Sequence, residues 1–177
     1  MRQDYRIIVE GPDGGGKTNL IEWLQGRFHN FEVIRNELGP EQDFDTWWPE
    51  QLDREKSQII PVHDRFFYSE LIYGPLIRGH LKPPEVLVNN VLWFLRSHSL
   101  LIYCRPHSET LEAGRKQLPQ MEGVELHYEN LLEGYDILMA QELGWYKDRF
   151  IRHDWVNPQS LKDVEKLVER YMLGELE

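Results

Sequence analysis

The chain has 177 residues, 41% of them hydrophobic, which is enough apolar material for one domain with a full core. Its formal net charge of −10 argues against tight, non-specific attachment to a nucleic-acid backbone, so a small anionic ligand held in a local basic cleft is the better expectation. A single cysteine, Cys104, excludes an intrachain disulfide and fits a reducing compartment. No apolar run approaches the ~18 residues of a membrane span, so we expect a cytoplasmic protein without a membrane anchor.

The first predicted strand, residues 5–10, runs into a glycine-rich loop. Residues 11–18 read Gly-Pro-Asp-Gly-Gly-Gly-Lys-Thr, which is a complete G-x-x-x-x-G-K-[ST] phosphate-binding motif. A helix is predicted over residues 17–28, because apolar residues recur there at helical spacing. Strand, loop and helix follow in the order that this motif needs, so we expect the loop to bind a nucleotide phosphate.

The residue types of this loop suit a phosphate group and a magnesium ion. Lys17 supplies a mobile positive charge, and Thr18 offers a hydroxyl to Mg²⁺ at the positive end of the predicted helix. The loop's glycines free the backbone so that consecutive N–H groups can converge on the β- and γ-phosphates: Gly11, Gly14, Gly15 and Gly16.

The remaining predicted elements continue an alternation of strands and helices. In chain order they are strand 31–35, helix 45–57, strand 58–63, helix 68–77, helix 84–97, strand 100–104, helix 108–118, helix 127–143, strand 149–154 and helix 159–173. This alternation predicts an α/β fold in which helices cover both faces of a central parallel sheet of about five strands. After a phosphate loop, that is the three-layer αβα sandwich of the P-loop NTPases, in one domain over residues 1–177. Its ligand is expected beyond the carboxyl ends of the strands.

Four short motifs follow one another along the chain. Residues 10–14 read EGPDG, residues 35–39 read RNELG, residues 63–66 read HDRF, and residues 73–79 read YGPLIRG. In this order the chain resembles the thymidylate kinase family of nucleoside monophosphate kinases, which carries E-G-x-D-G, R-E-P-G-G and D-R-[YHF] blocks. The resemblance covers nearly the whole chain and implies transfer of the γ-phosphate of Mg-ATP to a nucleotide.

The resemblance also implies roles for individual residues. Arg35 and Arg65 would clamp the acceptor phosphate, and Asp64 would act near the magnesium ion or its waters. Asp13 would accept a hydrogen bond from the 3′-hydroxyl of the acceptor sugar. Lys17, Asp64 and Arg65 are therefore the expected catalytic residues, with Thr18 and Asp64 at the metal.

The chemistry itself calls for several arginines, because donor and acceptor are both anionic and must be brought together. Arg35, Arg65 and Arg78 each follow a predicted strand or helix, and a guanidinium can bind a phosphate through two hydrogen bonds. Phe66, beside the acceptor arginine, is a candidate for stacking on the base. We predict that these four residues bind the acceptor substrate.

A lid is expected over the donor, because water must be kept from the transferring phosphate. Residues 108–123 hold two glycines, a proline and the adjacent cations Arg115 and Lys116, which is typical of a mobile flap. Arg115 is the predicted catalytic cation of this lid, and the alternatives are Arg105 or neither of the two.

Departures from the family pattern leave the acceptor base open. Only 28 residues separate Arg35 from Asp64, and Asn36 and Leu38 replace typical family residues. The interior of residues 73–79 has become Gly-Pro-Leu-Ile, which alters the wall that faces the acceptor. The compact size and these differences resemble a viral or otherwise divergent member.

Three functions remain open on the sequence. The first is a kinase of a deoxynucleoside monophosphate, such as thymidylate. The second is a kinase of a free deoxynucleoside, with Glu37 as its base, or of a hydroxymethylated pyrimidine in DNA; Asp13 argues against the nucleoside and the net charge against the DNA. The third is a nucleotide-binding protein without catalysis. Helix 84–97 is apolar enough to pair two copies in a homodimer, and equally to be core.

Overall fold

Five parallel strands form one sheet among the residues that the computed structural model describes, which are 5–35, 59–116 and 123–176. In chain order the strands are β1 (Arg6–Glu10), β2 (Phe31–Arg35), β3 (Ile60–Asp64), β4 (Ser99–Cys104) and β5 (Phe150–His153). Across the sheet they run β2, β3, β1, β4, β5, so β1 is central and the connections cross over between strands. The predicted parallel sheet is confirmed.

Helices connect the strands and cover the sheet. They are α1 (Lys17–Arg27), α2 (Phe67–Tyr73), α3 (Glu85–His98), α4 (Ser108–Arg115), α5 (Tyr128–Tyr146) and α6 (Pro158–Met172). A π-helical turn, Gly74–Arg78, continues α2, and a 3₁₀ turn, Lys147–Arg149, leads into β5. The predicted helix 45–57 lies outside the described residues. None of the helices described combines the length and apolar content needed to cross a membrane.

The central strand shows why the fold has three layers. Successive side chains of a strand point to opposite faces, and every residue of β1 is buried. Ile8 joins an apolar cluster formed with α2, α3 and α5, whereas Ile7 and Val9 join another formed with α1 and α6. The sheet is therefore packed on both faces, and the α/β three-layer prediction is confirmed.

Two predicted helices differ from those observed. The helix predicted over 68–77 is regular only as far as Tyr73, because Pro75 has no N–H for the α-helical ladder and the chain passes into the π turn. The helix predicted over 108–118 ends at Arg115, and residues 117–122 lie outside the described chain. Helix α3 supplies Val91, Leu92 and Leu95 to the core, so its apolar pattern is partly explained by packing.

All five strands are parallel, so their carboxyl ends meet at one edge of the sheet. The loop after β1 and the residues at the ends of β3 and β4 share this edge. A hydrogen bond of 3.0 Å from Arg65 N to Val9 O joins the end of β3 to the end of β1. The edge therefore brings the phosphate loop and the Asp64-Arg65 pair together, as expected for a parallel α/β sheet.

Candidate active site

The phosphate loop, residues 11–18, has backbone conformations that favour glycine, among them those of Gly14 and Gly16. Gly14 has φ +80° and Gly16 has φ +86°, both in the left-handed region. A β-carbon on Gly14 would lie 2.7 Å from the backbone nitrogen of Arg115, and one on Gly16 would lie 2.5 Å from the Trp155 ring. The loop is thus in close contact with α4 on one side and with the chain after β5 on the other.

A cavity of about 560 Å³ opens on this loop. Its walls come from four parts of the chain: residues 13–19 of the loop and α1, Asp64 and Arg65 after β3, Thr110, Ala113 and Gly114 of α4, and Trp155 after β5. Its size is that of small-molecule sites in general. The loop, the end of β3 and the predicted lid helix thus face one common space.

Lys17 lies buried at the floor of this cavity. Its Nζ donates hydrogen bonds of 2.8 Å to the carbonyl oxygens of Gly11 and Pro12. Burial and the nearby guanidinium of Arg65 lower the pKa of Lys17 to about 8. The ammonium group is held at the loop by two neutral acceptors, which a phosphate oxygen can replace with a stronger charged partner.

Arg65 points back to the phosphate loop and not to solvent. Its Nη2 forms an ion pair with Asp13, and its guanidinium carbon lies 5.2 Å from the centre of the Tyr73 ring. The hydroxyl of Tyr73 donates to the other oxygen of Asp13 at 3.3 Å. Arg65 also has φ +60°, an uncommon value for a residue with a side chain and one found often at functional sites.

Glu10 is the buried acid that ties these pieces together. Its Oε1 accepts from the backbone N–H groups of Phe66, at 2.7 Å, and Ser69, at 3.2 Å, at the start of α2. Its Oε2 accepts from the hydroxyls of Ser69, at 2.8 Å, and Tyr135, at 3.3 Å. Burial raises the pKa of Glu10, and the Arg65 charge and these hydrogen bonds oppose the rise. In the sequence Glu10 stands only as part of the motif at residues 10–14, without a role of its own.

Thr18 and Asp64 supply oxygen donors to the same space. Both line the cavity described above, and both also line a second cavity of about 380 Å³ beside α1. Hydroxyl and carboxylate oxygens, completed by nucleotide oxygens and waters, suit Mg²⁺. Within the described residues no group of three or more His, Cys, Asp or Glu forms a cluster of its own for a metal ion.

Arg35 lies on the second cavity and not on the first. Its side chain is exposed at the end of β2, and it shares that cavity with Thr18, Asp64 and Glu22. Arg35 and Arg65 therefore approach Asp64 from different cavities. The residues that follow Arg35, including the candidate base Glu37, lie outside the described chain.

Arg78, at the end of the π turn, is paired with an acid in the first turn of α2. Its Nη2 forms an ion pair with the buried carboxylate of Glu70, which also accepts from the backbone N–H of Lys82 at 2.9 Å. Arg78 is absent from the walls of the two cavities at the loop. This pairing favours a role in holding the π turn over a contact with substrate.

Phe66 is packed into the core, with 1% of its surface exposed. Its ring centre lies 4.3 Å from that of His63, and the side chain belongs to the apolar cluster under α2. A ring buried to this extent does not present a face to a ligand, so we revise the base-stacking expectation for Phe66 to a packing role.

The described part of the predicted lid segment lies directly on the phosphate loop. A β-carbon on Gly114 would lie 3.0 Å from the carbonyl oxygen of Gly14, so the two backbones meet with no side chain between them. The Arg115 guanidinium lies 4.3 Å from the centre of the Tyr128 ring and 4.0 Å from Glu125, at the start of α5. Arg115 is therefore near the loop through its backbone, while its side chain faces α5.

Arg105 and Lys116, the two other cations near the predicted lid, also have acidic partners. Arg105 donates to Asp136 at 3.0 and 2.9 Å and is buried. Lys116 is exposed and forms an ion pair of 2.7 Å with Glu112, one helical turn before it. Both ion pairs suit a structural role, in which they fix the chain on either side of α4.

Comparisons with known proteins agree on the fold. No protein-family model matches the sequence, and no curated protein matches it either. Among solved structures, the YorR protein of Bacillus subtilis, in complex with phosphorylated GDP, is similar with a TM-score of 0.70 at 19% identity. The match covers 94% of this chain and 97% of that one.

Two further structures are similar over most of this chain. Deoxyadenosine kinase of M. mycoides, with bound dATP, has a TM-score of 0.63 at 14% identity, over 93% of this chain and 99% of that one. Polyphosphate kinase 2 of Arthrobacter aurescens TC1 has a TM-score of 0.63 at 10% identity, over 98% of this chain and 69% of that one. The chain has the fold of the P-loop kinases, and these likenesses do not single out thymidylate kinases among them.

Proposed function

We propose that the protein is a phosphotransferase that moves the γ-phosphate of Mg-ATP to a nucleotide-type acceptor, in the first place a deoxynucleoside monophosphate. The observation that carries the proposal is that Lys17 and Arg65 line one common cavity. A loop that binds phosphate needs one cation for its own ligand. A second, arginine-based site beside it suits a second anion.

The donor half of the site is formed by the loop. Its backbone N–H groups and the N-terminus of α1 would receive the β- and γ-phosphates, and the Lys17 ammonium would move from the Gly11 and Pro12 carbonyls to a phosphate oxygen. Trp155, beside Gly16 on the cavity wall, is placed to contact the donor nucleotide.

The magnesium ion fits the oxygens at the end of the loop. Thr18 and Asp64 would hold the ion directly or through waters. When bound, Mg²⁺ neutralises phosphate charge and polarises the transferring group. The protein's own residues keep the two substrates in line and exclude water.

The acceptor half is formed around Arg65. An acceptor phosphate would take the guanidinium away from Asp13, whose carboxylate would then be available to a sugar hydroxyl. Arg35 lies one cavity further on, beyond Asp64, and would complete the clamp from β2. The nucleotide complexes recorded for YorR and for deoxyadenosine kinase support a nucleotide-type substrate for this fold.

A second acceptor is favoured by one comparison. The similar deoxyadenosine kinase is named for a nucleoside acceptor and not for a monophosphate. A deoxynucleoside kinase needs a base for the attacking hydroxyl and has no acceptor phosphate for Arg65 to bind. The two functions therefore differ in what they require of Arg65.

The experiment is ATP consumption with product identification against deoxynucleoside monophosphates, free deoxynucleosides and duplex DNA with hydroxymethylated pyrimidines. A diphosphate formed from one monophosphate, and lost in Lys17→Ala, would support the proposal and name the base. Transfer only to a nucleoside or to DNA would replace the acceptor assignment. Hydrolysis or binding of ATP without transfer to any acceptor would contradict the proposal.

A further inference from the structure

The hydroxyl of Tyr135 lies at the meeting point of the donor and acceptor halves of the site. Tyr135 belongs to α5, its side chain is fully buried, and it is 70 residues from Arg65 in sequence. Its hydroxyl oxygen lies 3.0 Å from Arg65 Nη1, which donates to it, and 2.9 Å from Ser69 Oγ. It also lies 3.3 Å from Glu10 Oε2, to which it donates.

These contacts join three elements of the site through one atom. Glu10 directly precedes the phosphate loop, Ser69 lies in the first turn of α2, and Arg65 is the proposed acceptor cation. Burial raises the pKa of Tyr135 well above its ordinary value, so the hydroxyl stays neutral and keeps its proton for Glu10. A neutral hydroxyl can accept from the guanidinium and donate to the carboxylate at the same time.

Arg65 needs such a support because its backbone is in an unfavourable conformation. At φ +60° a residue with a β-carbon is held by its surroundings and not by its own preference. The guanidinium is restrained at Nη2 by Asp13 and at Nη1 by Tyr135 and, at 3.4 Å, by Ser69. An acceptor phosphate would displace Asp13, whereas the hydrogen bonds at Nη1 would be kept.

We propose that Tyr135 is a positioning residue, which holds the Arg65 guanidinium toward the acceptor phosphate through its hydroxyl. The proposal rests on the proposed function, since it assigns Tyr135 to the arginine of that acceptor site. Tyr135 touches no reacting atom and acts through Arg65. The pair formed by Ser69 and Glu10 fixes the hydroxyl in turn.

The test is the variant Tyr135→Phe, which keeps the buried ring and removes only the hydroxyl. Tyr146→Phe is its matched control, because Tyr146 is also fully buried on α5 and its hydroxyl forms a hydrogen bond of 3.0 Å, to Tyr68. Steady-state KM and kcat are measured for the monophosphate and for ATP, together with the melting temperature of each variant.

We expect Tyr135→Phe to raise the KM for the monophosphate by about tenfold and to leave the KM for ATP within about twofold, as one hydrogen bond to a charged group suggests. Tyr146→Phe should lower the melting temperature by a similar amount without moving either KM. In an Arg65→Gln background, Tyr135→Phe should have no further effect on the monophosphate KM.

Equal KM values for the two Phe variants, or a full effect of Tyr135→Phe in the Arg65→Gln background, would overturn the proposal. Should Tyr135→Phe fail to fold, Ser69→Ala removes the hydroxyl's partner from α2 and should raise the same KM; an unchanged KM would overturn the proposal equally. Failure of the proposed function is recognised separately, because it appears in the unmodified protein as no transfer to any monophosphate.

Discussion

Lys17 is the buried cation of the proposed donor site. Its two carbonyl partners belong to the loop that would receive the phosphates, so the ammonium is already within reach of the ligand. Its pKa, lowered to about 8 by burial and by Arg65, is close to the range in which proteins work. Nucleotide binding is therefore expected to depend on pH through this residue.

Bound phosphates favour the ammonium form, so the complex keeps the Lys17 proton to a higher pH than the free protein does. Below pH 8 both states are protonated, and affinity for a non-hydrolysable ATP analogue should be constant. Above it the free protein loses the proton first, and affinity should fall by up to about tenfold per pH unit. Calorimetry from pH 7 to 9.5 measures this.

The variant Lys17→Met serves as the control for this titration. It should bind the analogue more weakly, with an affinity that does not change across the same range. A flat profile in the unmodified protein, or an equally steep one in Lys17→Met, would show that another group is responsible.

Among single residues, the sequence predicts some members of the candidate site and misses others. Lys17, Thr18, Asp64 and Arg65 come together as the motifs require, because the motifs are local and follow the ends of strands. Tyr135 has no such signal, since a tyrosine in an amphipathic helix is indistinguishable from a core residue until its distant partners are known. The base-stacking prediction for Phe66 was wrong for a related reason. Its position next to Arg65 in the sequence does not determine which way its ring points.

Helix α4 packs directly against the phosphate loop. The Gly14 and Gly114 backbones touch, which places Thr110 and Ala113 on the cavity wall. A helix glycine normally costs stability relative to alanine. At Gly114 the absence of a side chain allows α4, the predicted lid helix, to approach the loop.

Gly114→Ala should therefore weaken nucleotide binding by about threefold or more, because its β-carbon would push the loop's Gly14 carbonyl. Gly144→Ala is the control, since no atom lies within 4 Å of a β-carbon built at that position on α5. It should leave binding unchanged and raise stability by about 0.5–1 kcal/mol. Equal effects of the two variants on binding would contradict the contact.

Helices α3 and α5 are joined by a buried ion pair behind the site. Glu142, with none of its surface exposed, accepts from Arg96 at 2.9 and 2.6 Å and from the Tyr68 hydroxyl at 3.1 Å. Removing the cation would leave a buried carboxylate with one neutral donor. This pair fixes the helix that carries Tyr135.

Arg96→Leu should accordingly lower the free energy of unfolding by about 3 kcal/mol, as measured by urea denaturation. Arg27→Leu offers the comparison, because the Arg27 pairs with Glu165 and Glu169 lie at the surface. Its cost should be much smaller, because exposed ion pairs contribute little to stability. Similar losses for the two variants would argue against a structural role for the buried pair.

At the level of the whole molecule, the order of elements was predictable and their long-range contacts were not. Five apolar runs alternating with helical patterns indicate a parallel sheet, and the central strands β1 and β4 are buried on both faces. The π turn after Tyr73 depends on how Pro75 is accommodated, and the direction of Arg115 depends on Tyr128, a residue of the next helix. Pro75 gives a local signal for the end of the regular helix, whereas no local pattern gives the direction of Arg115.

The molecule as a whole is consistent with the proposal that an acidic chain binds two anions. The net charge is −10, yet Lys17 and Arg65 are each held by partners within the site. Loop carbonyls hold Lys17, and Asp13 holds Arg65. Binding would exchange these internal partners for phosphates. The central claim is that Arg65 serves the phosphate of the acceptor.

The most direct test is the ratio of kcat/KM for a deoxynucleoside monophosphate to kcat/KM for the same free deoxynucleoside, measured in the unmodified protein and in Arg65→Gln. We predict a strong preference for the monophosphate, reduced by about 10- to 100-fold in the variant because a charge-assisted pair is lost, with the KM for ATP unchanged. A preference for the nucleoside, or a ratio that Arg65→Gln leaves unaltered, would contradict the account.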